Sequence, residues 1–194
     1  MAKTAKNTST QTLVLGAIMT ALVIILQLMG NFALFGPFST AVALIPIAIG
    51  AATCGIGIGA WLGFVFGVVV IASGGAALFW AFDIPGTIVT VLAKGTACGL
   101  AAGLVYKLLE KLNRYVAVVA SSVVCPVVNT GVFLIGCAVF FLDDASQIAA
   151  AAGSTGTGMG LFIGFAMANF LIEVATNLIL SPIIVRILDA RKKA

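Results

Sequence analysis

The sequence predicts an all-α integral membrane protein, a single bundle of six transmembrane helices with both termini in the cytoplasm. Three observations carry that reading. Of 194 residues, 62% are hydrophobic and only 8% are charged, with a mean hydropathy of +1.24. A soluble domain of this length dresses its surface with about 25% charged residues. The chain also divides into apolar runs that, at roughly 20 residues per crossing, allow about six spans. Finally, its basic residues collect in alternate connectors and the tails, joined there only by the acidic Glu110 and Asp189. There is no histidine, which excludes Ser-His hydrolysis and His-based metal sites and removes the side chain that titrates near neutrality.

The spans follow in order. Residues 12–29 form the first uninterrupted apolar run. Lys3 and Lys6 precede it, yet it is too long for a signal-peptide core, lacks an A-x-A cleavage site and is followed by further spans. Gly36 and Pro37 break the chain into a loop over 31–38. Residues 39–54 form a short second span interrupted by Pro46, and 56–72 a third after a charge-free turn. The connector 73–86 is rich in Gly and aromatics and ends in Asp83-Ile84-Pro85-Gly86. Span four covers 87–109, followed by a charged turn over 107–114. Span five covers 116–142, with Pro126 inside it. A small-residue loop over 143–158, helical at most around 148–152, leads to span six over 159–188. Residues 1–11 and 189–194 are tails, and the whole chain reads as one domain.

Charge sets the orientation. Lys3, Lys6, Lys107, Lys111, Arg114, Arg186, Arg191, Lys192 and Lys193 fall on one side, whereas Asp83, Asp143 and Asp144 fall on the other. Basic residues collect on the cytoplasmic face, so both termini are expected inside. The net charge of +4 is therefore a topology signal with some attraction for anionic lipid. It is not the footprint of a nucleic-acid binder.

Small residues recur every four positions at Gly55, Gly59, Gly63 and Gly67, and again at Gly95, Gly99 and Gly103. This spacing places them on one helix face, where backbones pack closely. Ala17 and Ala21 repeat the pattern on the first span, a face able either to pack internally or to receive another membrane subunit.

Only two charges remain at depth in the membrane. Lys94 lies about 10 Å below the outer end of span four, and Glu173 lies midway along span six. Each costs on the order of 3 kcal/mol to insert, so each needs a partner or a wet cavity. Asn129 and Asn169 accompany them, and Asn169, Glu173 and Asn177 form a stripe of four-residue spacing. These groups can be a buried ion pair and interhelical hydrogen bonds that close the bundle. Alternatively, they line an outward cavity where Lys94 meets an anionic or carbonyl group of a solute. Phe79, Trp80 and Phe82 sit at the outer interface, as an aromatic belt or as a lid that stacks on a ring.

Other chemistry is missing. No G-x-x-x-x-G-K-[ST] motif occurs. Cys54, Cys98, Cys125 and Cys137 lack paired spacing and read as packing residues. Neither a metal site nor an enzymatic acid–base pair is expected, and no cofactor is implied.

Several stretches together resemble the substrate-binding S components of energy-coupling factor (ECF) transporters. They are Ala17 and Ala21 on the first span, Asn31-Phe32-Ala33-Leu34-Phe35-Gly36-Pro37, Lys94-Gly95, Pro126-Val127-Val128-Asn129-Thr130, and Asn177-Leu178-Ile179-Leu180-Ser181-Pro182. The resemblance implies a prokaryotic plasma-membrane protein that binds a vitamin tightly from outside, in a pocket made by the outer halves of spans four to six. Lys94, Asn129, Asn169, Glu173, Asn31 and Trp80 are the implied binding residues, and the 31–38 loop resembles a gating lid. It further implies that Ala17 and Ala21 dock a transmembrane T component driven by two cytoplasmic ATPases, and that the loaded subunit topples to release its ligand inside. Lys94 favours a vitamin with a carboxylate or phosphate, pantothenate or folate before thiamine, with riboflavin among the other candidates. The competing expectation is a self-sufficient secondary transporter or channel.

Overall fold

In the computed structural model, which describes residues 10–31, 42–153 and 158–193, the described chain is helical throughout. The helices are α1 (Thr10–Asn31), α2 (Leu44–Cys54), α3 (Ile56–Ala72), α4 (Ala77–Trp80), α5 (Ile84–Leu109), α6 (Arg114–Phe140), α7 (Ala145–Ala151) and α8 (Gly158–Lys193). Four of them, α1, α5, α6 and α8, are long and apolar enough to cross a membrane. The other two expected spans are shorter: α2 has 11 residues and α3 has 17. Residues 32–38 of the expected lid and 1–9 of the expected 1–11 tail lie outside the described residues, whereas 10–11 and Asn31 belong to α1.

Burial explains why α2 needs so little length. Leu44 to Ala51 are all buried, so this helix is apolar on every side because it runs through the protein interior. Pro46 sits in its first turn, where the missing N–H has no helical partner to lose. Gly55, which the four-residue pattern placed on the packing face of α3, is instead the joint between α2 and α3. Its φ of 95° lies in the left-handed region that glycine enters without a Cβ penalty.

The helix ends differ from the sequence expectation in physically clear ways. The connector 73–86 holds the single turn α4, and α5 begins at Ile84 rather than 87. Asp83 occupies the N-cap position and Pro85 lies in the first turn, where proline's fixed φ suits a helix start. Asp83-Ile84-Pro85-Gly86 therefore starts the helix instead of ending the loop. The charged turn contracts for a similar reason. The Asn113 side chain accepts hydrogen bonds from the backbone N–H groups of Tyr115 (2.9 Å) and Val116 (3.4 Å), capping α6 from Arg114 onwards. Pro126 does not end α6, which runs on for 27 residues. The 143–158 connector folds in part as α7, whose Ala145, Ile148 and Ala149 are buried.

Glycine decides the tightest packing, between α3 and α5. A Cβ on Gly63 would strike the carbonyl oxygen of Gly95, and one on Gly95 would strike that of Gly63. Gly59 faces Gly99 in the same manner, with the oxygen of Gly99 only 2.7 Å from a Cβ built on Gly59. Gly103 meets Ile56. The two backbones thus touch directly over about three turns, as small-residue faces allow. α6 packs on the other side of α5, tied there by Ser121 Oγ donating to the Ala102 carbonyl (2.9 Å).

On α1, Gly16, Met19, Val23 and Gln27 turn inward, whereas Ala17 and Ala21 are exposed. The A-x-x-x-A face is therefore not consumed by packing within the bundle. A second apolar cluster fills the end of the molecule near α4 and α7. Phe79 is at its centre, with ring centroids 5.1 Å from Phe141 and 5.7 Å from Phe133.

Candidate functional site

α6 packs against both α5 and α8, and a cavity opens where these helices meet α3 and the segment around α4. It holds about 660 Å³ of empty space, open solvent at its mouth included. Lys94, Asn129, Asn169 and Glu173 all line it. These four residues are scattered over 80 positions of sequence on three helices, and folding brings them to one place.

Each polar group is held differently. The Lys94 ammonium lies 5.3 Å from the Phe133 ring centroid and 6.0 Å from that of Phe66. Both rings offer the negative face of their quadrupole to the cation, partly replacing lost hydration. Asn169 Nδ2 donates to Glu173 Oε1 at 2.8 Å. One turn further along α8, Asn177 Nδ2 donates to the Glu173 backbone carbonyl at 2.9 Å. The stripe of Asn169, Glu173 and Asn177 is therefore bonded along its own length, because residues four apart on a helix are neighbours. Glu173, Asn177 and Asn129 are buried, with exposures of 2%, 1% and 4%. The amide oxygens of Asn129 and Asn177 have no hydrogen-bond partner among the described residues.

Apart from the hydroxyl-bearing Thr130 of α6, the rest of the lining is apolar. Phe66 and Val70 come from α3, Val91 from α5, Phe133 from α6, Ala166 from α8, and Phe79 from α4. One positive and one negative side chain thus sit with two amides and one hydroxyl in an otherwise apolar chamber. Such a site orients a solute through a few polar contacts while burying its hydrocarbon or ring surface.

Two expected residues stand apart. Trp80 is 39% exposed and does not line the cavity. Its neighbour Phe79, 7% exposed, does so, because adjacent residues of a helical turn point about 100° apart. The side chain of Asn31 lies outside the described residues. Conversely, Phe66 and Phe133 line the cavity without having been singled out from the sequence, and so does Thr130, which entered only as the last residue of the 126–130 stretch. Phe133 follows Asn129 by four positions on α6, a spacing that places it on the same face.

The described residues contain no group of three or more Cys, Asp or Glu side chains able to hold a metal ion.

Comparison with known proteins fits this geometry. No curated protein matches the chain. The fold is similar to that of ThiT from Listeria monocytogenes, with a TM-score of 0.67 and 16% identity over 91% of this chain and 94% of that one. At that identity the likeness concerns the fold. The family model described as "ECF transporter, substrate-specific component" matches residues 11–185. The match spans nearly the whole chain, and the protein therefore belongs to the family of ECF transporter substrate-specific components.

Proposed function

We propose that the chain is the high-affinity substrate-binding subunit of an ATP-driven vitamin importer, taking its solute from outside and releasing it inside. The observation that carries this reading is the convergence of Lys94, Asn129, Asn169 and Glu173 on one cavity. Each of them is costly to insert in a membrane interior, and a bundle held together by independent polar contacts would have no reason to gather them. Lys94 offers the charge for a carboxylate or phosphate, which favours pantothenate or folate. Phe66, Phe79 and Phe133 supply apolar surface for the remainder.

The proposal includes six crossings with cytoplasmic termini in a prokaryotic plasma membrane. α1, α5, α6 and α8 supply four crossings, and α2 and α3 complete the count from inside the bundle. Charge sorting between the connectors supports the orientation. Partners are a transmembrane T component and two cytoplasmic ATPases. Exposure of Ala17 and Ala21 on α1 supports this face as the docking surface, since small side chains let a partner helix approach closely.

Reconstitution into vesicles tests the division of labour. Vitamin uptake should require the T component and the ATPases. Ala17→Trp and Ala21→Trp should leave ligand binding intact and abolish that uptake. Vectorial uptake by the chain alone would instead establish a self-sufficient secondary transporter. Loss of binding in either variant would place the alanines in internal packing.

A further inference from the structure

Away from the cavity, at the far end of α5, a second concavity of about 760 Å³, open solvent included, is lined by Ile56, Leu104, Lys107, Leu108, Glu110 and Lys111. We propose that it binds an anionic glycerophospholipid with a hydroxylated headgroup, in the leaflet that this end of the bundle faces. This is independent of the vitamin site.

Two parallel rows of side chains support it. Leu100, Leu104 and Leu108 repeat every four residues along one face of α5, and Leu112 continues beyond its end. All four are exposed, Leu108 by 71% and Leu112 by 81%. Exposure that large on leucines within a charged turn is expensive in water and favourable at the boundary between acyl chains and headgroups. From Leu100 to Leu108 the row measures about 12 Å, enough to hold a substantial part of an acyl chain. Alongside it, Lys107 in the last turn of α5 and Lys111 in the turn just beyond it line the same concavity, two charges of like sign on one small surface.

Neither lysine has an ion-pair partner among the described residues, so a bound phosphate would relieve their mutual repulsion. Long lysine stems reach the headgroup level while covering apolar surface. Glu110 shares the groove and works against a bare phosphate. A glycerol headgroup, whose hydroxyls donate to a carboxylate, converts it into a favourable contact. Ile56, at the start of α3, supplies the opposite apolar wall.

Native mass spectrometry of the full chain tests the site with phosphatidylglycerol, phosphatidylcholine of matched acyl chains, and free glycerol phosphate. Phosphatidylglycerol should be retained roughly 30-fold better than phosphatidylcholine, the attraction expected of two interfacial lysines. The double variant Lys107→Gln/Lys111→Gln should fall to the phosphatidylcholine level. The double variant Arg191→Gln/Lys192→Gln, with the same change of net charge, should keep the preference. Equal retention of the two lipids would overturn the proposal, as would equal loss in both double variants. Glycerol phosphate binding as tightly as the lipid would show that the leucine row contributes nothing, and would overturn it too.

Discussion

Replacing Gly95 by alanine should destabilise the protein by about 2 kcal/mol or more, with Gly63→Ala producing a loss of the same size. Each added methyl would be directed at a backbone carbonyl of the facing helix rather than at a side chain that can turn away. α3 and α5 would have to separate, and the apolar contacts on either side of the seam would loosen with them. Gly57→Ala is the control. A Cβ there meets nothing within 4 Å, so the gain in helix propensity of about 1 kcal/mol is unopposed. Thermal unfolding in detergent should therefore rank Gly57→Ala at or above the parent, and Gly63→Ala and Gly95→Ala well below it. Equal stability of all three variants would mean that the two backbones do not touch. Because α3 and α5 both contribute lining residues, loosening this seam should also weaken ligand binding.

Lys94→Ala should cost at least about 100-fold in affinity for a carboxylate vitamin, since it strips the counter-charge from a desolvated anion. Helix content should change little, because the Phe66 and Phe133 rings beside the ammonium keep their apolar packing. The unfolding transition should move down, since Lys94 also attracts the buried Glu173 and its removal takes that counter-charge away from the carboxylate. A matched pair of ligands sharpens the expectation. The parent protein should prefer a free acid over its methyl ester, and Lys94→Ala should bind the two about equally. Isothermal titration checks both statements. An unchanged preference for the acid would assign the charge recognition to another group.

The large features of this protein were legible in the sequence because hydrophobicity and charge are local properties. Apolar runs locate the helices whether or not their partners are known, and Lys94 and Glu173 stand out because few charges are tolerated at membrane depth. Helix ends were harder to read. Asp83-Ile84-Pro85-Gly86 has the composition of a turn, and its role as a helix start depends on the geometry at Asp83 and Pro85. The aromatic part of the site was harder still. Phe66 and Phe133 are two among 13 phenylalanines, and only the crossing of α3, α5 and α6 selects them. The position of Trp80 shows the same limit, since one residue of phase on a four-residue helix exchanges a cavity wall for an exposed surface. The alternative roles of Ala17 and Ala21 could not be separated by spacing either, because a small-residue face serves an internal neighbour and an external subunit equally well.

The most direct test of the central proposal, a vitamin-binding cavity that works without any ATPase, is to titrate the purified chain alone with a vitamin panel. Trp80, one residue from the cavity wall at Phe79, serves as the fluorescent reporter. The panel contains pantothenate, folate, riboflavin and thiamine. One member bearing a carboxylate or phosphate should quench at submicromolar concentration, and Lys94→Ala should abolish that quenching. Failure of every member to bind, or binding that survives Lys94→Ala unchanged, would contradict the account.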